Sequence, residues 1–379
     1  MNTWRIAMQA ESLNKDCWPP AADAFPAYPA SWYLFCASSQ LNDKPFSQHM
    51  LGRQLVAYRT ANGQVGVMDA HCAHLGADLG CGKVVGETLE CPFHNWRYGT
   101  DGVCTSIPHA AEIPSFARLR TYPVAERHGS VFFFNGPEAL FPLPFFLGAD
   151  PEEFVAGKVF RYLADCAWFM TTANAFDMQH FLCVHGRDLM DRCHVDCPHP
   201  FARRNRYRAA IVGRSRTDGF LRSALGPTVD VSITCWGGTY LVMTADFKRA
   251  HSCFLIATRP LEDGKTLCEG IVFARRTHNP LKRWTWQPLN LMIRRALTHG
   301  FVADESRSLL GIRYNPASLG PNDRDMVEYF QWVASLPQTA AIPINPKAKE
   351  GYDEETDRSF DVPASCGSVS VIASAAAKG

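Results

Sequence analysis

Neither sign of charge is in excess: Lys and Arg number 38, Asp and Glu 37, and the formal net charge is +1. The basic surplus that a phosphate backbone selects for is missing, so nucleic acid is not an expected partner. A long apolar run is also absent. The most apolar stretch, Val131 to Leu147, is broken by Asn135, Gly136, Pro137, Glu138, Pro142 and Pro144. Nothing reaches the ~20 apolar residues of a membrane helix, and no membrane partner is expected. The opening MNTWRIAMQAESLNKD has no basic stretch followed by an apolar one, which argues against a secretory leader and sets the expected location in the cytoplasm. No G-x-G-x-x-G follows a strand signal and no G-x-x-x-x-G-K-[ST] occurs, so no nucleotide site is recognisable. There is no internal repeat.

Cysteine is plentiful, with 14 in 379 residues. In an intracellular chain of this size, that points to metal ligation or buried thiols rather than a disulfide framework. Spacing has to decide between them.

Residues 1–30 are rich in Pro and Ala and read as a poorly ordered arm. From Ser31 to Leu143, short apolar runs (WYLFC, QLVAYRT, VGVMDA, VFFFNG) alternate with Gly and Asp-Gly turns, the pattern of a small all-β module. Residues 144–340 change texture. A helical stretch is expected over Phe169 to His185, then strands at VDVSITCW, YLVMTADF, SCFLIATRPL and TLCEGIVFARR, with a hairpin at LEDGKT. A long amphipathic segment runs from Leu281 to Leu310, and a last helix from Asp323 to Leu336. Helices against one antiparallel sheet make this half α+β. Residues 341–379 read as a flexible tail.

Cys72-Ala73-His74 and Cys91-Pro92-Phe93-His94 form two loops, each offering one thiolate and one imidazole. A [2Fe–2S] centre with two Cys on one iron and two His on the other needs that set. Gly76, Gly80, Gly82, Gly99 and Gly102 permit the turns that wrap a cluster. A Cys₂His₂ zinc site is the competing reading, although classical zinc fingers pair Cys with Cys and His with His.

The run HCAHLGADLGCG…ECPFHNWRYGTDGVC, with ASWYLFCASSQLNDKP upstream, resembles the Rieske domain of the Rieske non-haem iron oxygenases. Respiratory Rieske proteins carry an extra Cys in each box; the corresponding places here are Ala77 and Phe93, so the chain looks like the oxygenase branch. Within that family it is similar to aminopyrrolnitrin oxygenase-like N-oxygenases. The resemblance implies a helix-grip, START-like catalytic domain. It also implies a mononuclear Fe(II) with O₂ as co-substrate, and a separate reductase or ferredoxin through which NAD(P)H acts only indirectly. A homotrimer oxidising a small aromatic or natural-product substrate of secondary metabolism is the assembly and task implied. Hydroxylation, N-oxygenation, oxidative cyclisation and desaturation all stay open, as does a pure Rieske electron carrier.

Some eighty residues on stands Asn174-Ala-Phe-Asp177-Met-Gln-His180-Phe-Leu-Cys-Val-His185. Two imidazoles and a carboxylate on one face of Fe(II) leave positions for O₂ and substrate. His180 and His185 are five apart, about 140° around a regular helix, so both reach one metal only if the helix ends or loosens near Cys183. Asp304, in HGFVADESRSLL, resembles the family's third ligand, with Glu305 as the alternative and a solvated helix charge as the plain explanation. By resemblance, Asp177 links His180 to His94 of a neighbouring subunit, and Asn174 stands beside the iron, holding a water or a substrate group. Cys193-His194-Val195-Asp196-Cys197 is too crowded for usual zinc spacings and reads as a polar loop. Phe169, Met170, Phe176, Met178, Trp236, Tyr240, Met243, Phe247 and Phe254 are candidate substrate walls, each equally explained as core.

Overall fold

The computed structural model describes residues 18–338 except Asp43, and Asp304 by its backbone alone. The expected tail at 341–379 lies outside the described residues.

The N-terminal module is all antiparallel β. Strands Trp32–Ala37, Ser130–Phe134 and Val124–Arg127 form one small sheet, and Phe46–Met50, Arg53–Arg59, Val65–Asp69 and Thr121–Tyr122 a second. Tyr33, Phe35, Leu55, Val67 and Phe133 fill the core between them. A third sheet, of Lys83–Val85, Thr88–Glu90, Arg97–Tyr98 and Cys104–Ser106, carries the Cys/His loops at its end.

The second half is a nine-stranded antiparallel sheet. Its main path runs Phe154–Ala156, Thr266–Arg275, Ala250–Pro260, Tyr240–Phe247, Thr228–Trp236, Ala202–Ile211, Arg187–Leu189. Strand parity sends alternate side chains to opposite faces. Tyr240, Val242, Cys253, Leu255, Ile271 and Phe273 pack against Trp32, Phe132 and Phe134 of the N-terminal module. Leu241, Phe254, Ile256, Cys268 and Val272 face the helices. Both faces are covered, which is why SCFLIA and GIVFA read as continuous apolar runs. The LEDGKT hairpin closes through Leu261 N–H to the Lys265 carbonyl, 2.9 Å.

Six α-helices occur among the described residues, α1 (Trp168–Ala173), α2 (Met178–Cys183), α3 (Arg216–Ala224), α4 (Pro280–Trp284), α5 (Trp286–Ser308) and α6 (Arg324–Ala334), and all but α4 lie against the second face. The expected helix over Phe169 to His185 is therefore two short ones joined by a 3₁₀ turn at Asn174–Phe176. The expected polar loop around Cys193 to His199 is instead a strand, His194–His199, paired with Ala202–Ile211. Asp196 is clasped by Arg204 and Arg206 at 2.8 and 2.9 Å, so cross-strand charge rather than hydrophobic alternation holds the pair. The described part of the expected arm is not loose. Phe25 stacks on Phe169 at 3.8 Å, Trp168 Nε1–H donates to the Pro26 carbonyl, and Ala30 N–H donates to the Pro337 carbonyl. Aromatic burial ties down a segment whose Pro and Ala content suggested disorder.

Candidate functional site

The two Cys/His loops are built alike. Cys72 N–H donates to the Ala77 carbonyl and Gly76 N–H to the Cys72 carbonyl; Cys91 N–H donates to the Trp96 carbonyl and Asn95 N–H to the Cys91 carbonyl. Four residues after each Cys the chain turns left-handed, at Gly76 (φ 76°) and Asn95 (φ 59°), residues that tolerate that conformation. At Gly82 a Cβ would sit 2.1 Å from the Glu90 carbonyl, so close backbone approach requires glycine there. The Cys72 and Cys91 thiols are buried and the His74 and His94 rings exposed. The imidazole centroids stand 4.7 Å apart, with His74 stacked on Trp96. Tyr98 Oη lies 3.1 Å from Cys72 Sγ.

Burial pushes the Cys72 thiol above its ordinary value against the opposing hydrogen bonds from Tyr98 and the His74 backbone, so a thiolate here calls for a cation. Four ligands of a single tetrahedral ion would lie within a few ångströms of one another. Among the described residues, the one group of three or more His, Cys, Asp or Glu ligand atoms mutually within 4.8 Å is a different one. The cluster-loop donors are spread wider than one zinc ion requires, as a two-iron centre demands, and their chemistry fits a [2Fe–2S] group.

That closer group is His180, His185 and Glu305. α2 ends at Cys183, where Val184 N–H closes the last turn onto the His180 carbonyl, and the chain then swings His185 back toward His180. The helix end expected near Cys183 is there. His180 Nε2 and His185 Nε2 are 3.0 Å apart and lie 2.8 and 3.0 Å from Glu305 Oε2. Cis ligands about 2.1 Å from an octahedral ion stand about 3.0 Å apart, whereas a tetrahedral ion spreads them to about 3.4 Å. The triangle therefore fits three ligands on one face of a six-coordinate metal.

Burial would raise the Glu305 carboxyl, but the hydrogen bonds from both imidazoles outweigh it and hold the group far below the ordinary carboxylate range. Burial pushes the His185 imidazole down, toward the neutral ring that can offer a lone pair. Glu305 is the alternative raised from sequence. Asp304 precedes it in α5, and its side chain lies outside the described residues.

Several neighbours fix this triad. Asn174 Nδ2–H donates to Glu305 Oε1 at 2.7 Å, leaving Oε2 for the imidazoles. His185 stacks on Phe301 with centroids 4.0 Å apart. Arg187 donates to the His185 carbonyl at 2.6 Å and to Asp218 at 2.7 Å. Asp177 caps α2: its Oδ1 accepts from Gln179 N–H and His180 N–H, 2.9 and 3.2 Å.

Beside His185 opens a cavity of about 300 Å³, lined by Val229, Val231, Met243, Phe247 and Phe254 from the sheet and by residues of α3 and α5. Met243, Phe247 and Phe254 were among the expected walls. Phe169 and Phe176 belong to the helix-side core, and Tyr240 points to the opposite face of the sheet. The long segment from Leu281 to Leu310 supplies Ile293 and Leu297 as the sequence reading expects of it, whereas the Arg187 and Phe220 walls were missed. α3 is short and mostly polar, RTDGFLRSA, and starts at the Ser215 cap, whose hydroxyl accepts from Asp218 N–H.

Residues 31–122 match the Rieske family, described as the Rieske [2Fe-2S] domain. The chain is 38% identical over 175 residues to aminopyrrolnitrin oxygenase PrnD of Pseudomonas fluorescens, covering 44% of this chain and 48% of that one. It is 45% identical over 166 residues to cholesterol 7-desaturase nvd of Xenopus laevis (42% and 37%). To a 3-ketosteroid-9-alpha-monooxygenase oxygenase component of Rhodococcus rhodochrous it is 33% identical over 169 residues (41% and 42%). The matched stretch thus spans less than half of each of these relatives. Among solved structures, dicamba monooxygenase bound to dicamba aligns over 81% of this chain and 97% of that one, at 18% identity and TM-score 0.58. Pseudomonas putida CBB5 NdmA with caffeine aligns over 80% and 89%, at 19% identity and TM-score 0.59. At those identities the likeness is one of fold.

Proposed function

We propose that this chain, which carries a Rieske [2Fe–2S] domain on the fold of Rieske oxygenases, is a terminal oxygenase component that oxidises a small organic molecule with O₂ and externally supplied electrons. The observation that carries this is the His180–His185–Glu305 triangle with edges of 2.8 to 3.0 Å, opening onto an apolar cavity. A pure electron carrier has no use for a second such centre.

Cys72, His74, Cys91 and His94 would hold the cluster, and His180, His185 and Glu305 the iron. When bound, the two groups would supply single electrons and a meeting point for O₂ and substrate. The chain does the remainder. Burial around Cys72 and Cys91 keeps water from the thiolates, while exposed His74 and His94 present the other edge of the site to a partner. Asn174 holds Glu305 Oε1, so that Oε2 alone faces the imidazoles and would be the oxygen offered to the iron. Val229, Val231, Met243 and Phe254 exclude water from the space beside His185 and seat an apolar substrate.

Asp177 Oδ2 has no partner among the described residues, which supports the homotrimer in which a neighbouring subunit's His94 side meets α2. A reductase or ferredoxin is the expected electron donor, since no dinucleotide fingerprint is present. Of the reactions still open, hydroxylation and N-oxygenation come first; the largely apolar cavity suits aromatic, natural-product or other lipophilic substrates, in secondary metabolism or elsewhere.

Anaerobic metal analysis tests the proposal, together with EPR of the dithionite-reduced protein. Three irons per chain and a Rieske signal are expected. Two irons, with Glu305→Ala changing nothing, would leave an electron carrier.

A further inference from the structure

α4 and α5 turn apolar side chains to solvent in a pattern that ordinarily faces a core. The exposed positions Leu289, Met292, Ile293 and Ala296 follow i, i+3, i+4, i+7, and Leu281, Trp284 and Trp286 extend the same surface. Trp284 is 85% exposed, Leu281 73% and Met292 62%. The inner side of α5 is already satisfied: Val302 is buried and Gln287 Nε2–H donates to the Arg275 carbonyl. Scattered exposed apolar residues are ordinary, but a continuous set of this kind marks a contact surface.

Charge identifies what covers it. Residues 270–303 contain no Asp or Glu and six cations, Arg275, Arg276, Lys282, Arg283, Arg294 and Arg295, in a chain whose net charge is +1. Arg275 pairs with Glu153, and Arg294 is engaged with Asn290 and the His251 carbonyl. Lys282, Arg283 and Arg295 are exposed and form no ion pair among the described residues. A second copy meeting this face through itself would set these cations against each other. An anionic bilayer surface complements both features: acyl boundary for Trp, Leu and Met, headgroups for Lys and Arg.

The cavity beside His185 reaches this surface. Asn290, Ile293 and Arg294 line it, and Ile293 is also part of the exposed stripe. We propose that α4–α5 is a peripheral docking face for anionic membrane surfaces, lying in the interface plane, and that lipid-dissolved substrate enters the cavity beside Ile293. No described helix is long and apolar enough to cross a membrane, and an amphipathic face with cations beside it calls only for surface attachment. Entry of substrate rests on the oxygenase reading; docking does not.

The test is flotation of the metal-loaded full chain with phosphatidylcholine vesicles, with and without about one-third phosphatidylglycerol. The chain floats with the anionic vesicles, and added salt weakens binding. Lys282→Gln/Arg283→Gln lowers partitioning by about 30-fold, from the loss of two interfacial cations at about 1 kcal/mol each. Leu281→Ser/Trp284→Ser also lowers it, with the Rieske EPR signal and the mass by light scattering unchanged. Failure to float with anionic vesicles at low salt overturns the proposal, as does equal flotation of the Lys282/Arg283 variant. So does a change of oligomeric mass in the Leu281/Trp284 variant, which would make the face a protein interface. Vesicle binding by a chain that loads only two irons sinks the oxygenase reading and leaves docking standing.

Discussion

Replacing Asn174 by alanine isolates a single hydrogen bond whose function is to aim a ligand. Nδ2–H of Asn174 reaches Glu305 Oε1 over 2.7 Å, while Oε2 faces the two imidazoles. Without that donor the carboxylate is free to rotate or to chelate through both oxygens. A hydrogen bond to an ionised group contributes about 1.5–3 kcal/mol, which corresponds to roughly 10–100-fold, the same range over which outer-sphere partners shift metal affinity. Fe(II) affinity, measured by competition with a chromophoric chelator under anaerobic conditions, is expected to fall by that factor. The two cluster irons and their EPR signal serve as an internal control in the same sample. The backbone is not expected to rearrange, because Asn174 is half-buried and Phe176 and Ala175 beside it are held by the core. An unchanged affinity with activity intact would refute the positioning role. Loss of the cluster signal along with the iron would show that the variant acts through folding.

Glu305→Ala removes one of three ligands and is expected to leave two irons per chain by elemental analysis, whereas Asp304→Ala keeps three; the reverse result would restore Asp304 as the ligand. Tyr98→Phe deletes the hydroxyl 3.1 Å from Cys72 Sγ. Donors to a cluster sulfur favour the reduced state, so the potential should fall by about 20–60 mV, one hydrogen bond of 0.5–1.5 kcal/mol in a one-electron couple, read by spectroelectrochemistry. Burial would raise the Asp218 carboxyl, but bonds from Ser215 and Arg187 outweigh it and hold the group below its ordinary value. A depressed folded-state value means stability that is present above the unfolded value, near pH 4, and lost as pH falls through the folded one. Asp218→Asn should therefore unfold at lower denaturant concentration than the parent at pH 7, with the gap closing below about pH 4; a gap that widens in acid would refute the assignment.

The cluster loops were legible because each ligand pair is local, and the turns that place them need residues tolerant of positive φ, at Gly76 and Asn95. The sheet was legible at Thr228–Trp236 through Thr266–Arg275, where β-branched and aromatic runs are long. Ala202–Ile211 escaped notice because Arg203, Arg204, Arg206 and Arg208 occupy it, and its pairing rests on Asp196 and Asp230, supplied by two other strands. Such strands carry no hydrophobic alternation, only partners that sequence order hides. The cavity walls were half-legible for another reason. Tyr240 and Met243 lie three apart on one strand, so they face opposite sides, and strand parity alone assigns Met243 to the cavity and Tyr240 to the N-terminal module.

The third ligand shows how helical phase carries more than motif position. Thr298 and Val302 in α5 and Leu309 at its C-cap are buried and are spaced four and seven apart; Glu305 falls between them, three after Val302 and four before Leu309. A carboxylate on the buried stripe of a helix is unfavourable unless something cationic or hydrogen-bonding meets it. Asp304 lies about 100° around the helix from Glu305, off that stripe. The apolar spacing of Val302 and Leu309 alone marks Glu305 as the acid with a burial penalty to offset. His180, His185 and Asn174 offset it, and a metal bound among them would do so further. This makes a discriminating variant possible. Exchanging the two positions, Asp304→Glu with Glu305→Asp, keeps composition and net charge but shortens the reach of the stripe carboxylate by one methylene. If helical phase decides the ligand, Fe(II) affinity drops despite the longer acid next door; if it is retained, the neighbouring position was the ligand all along.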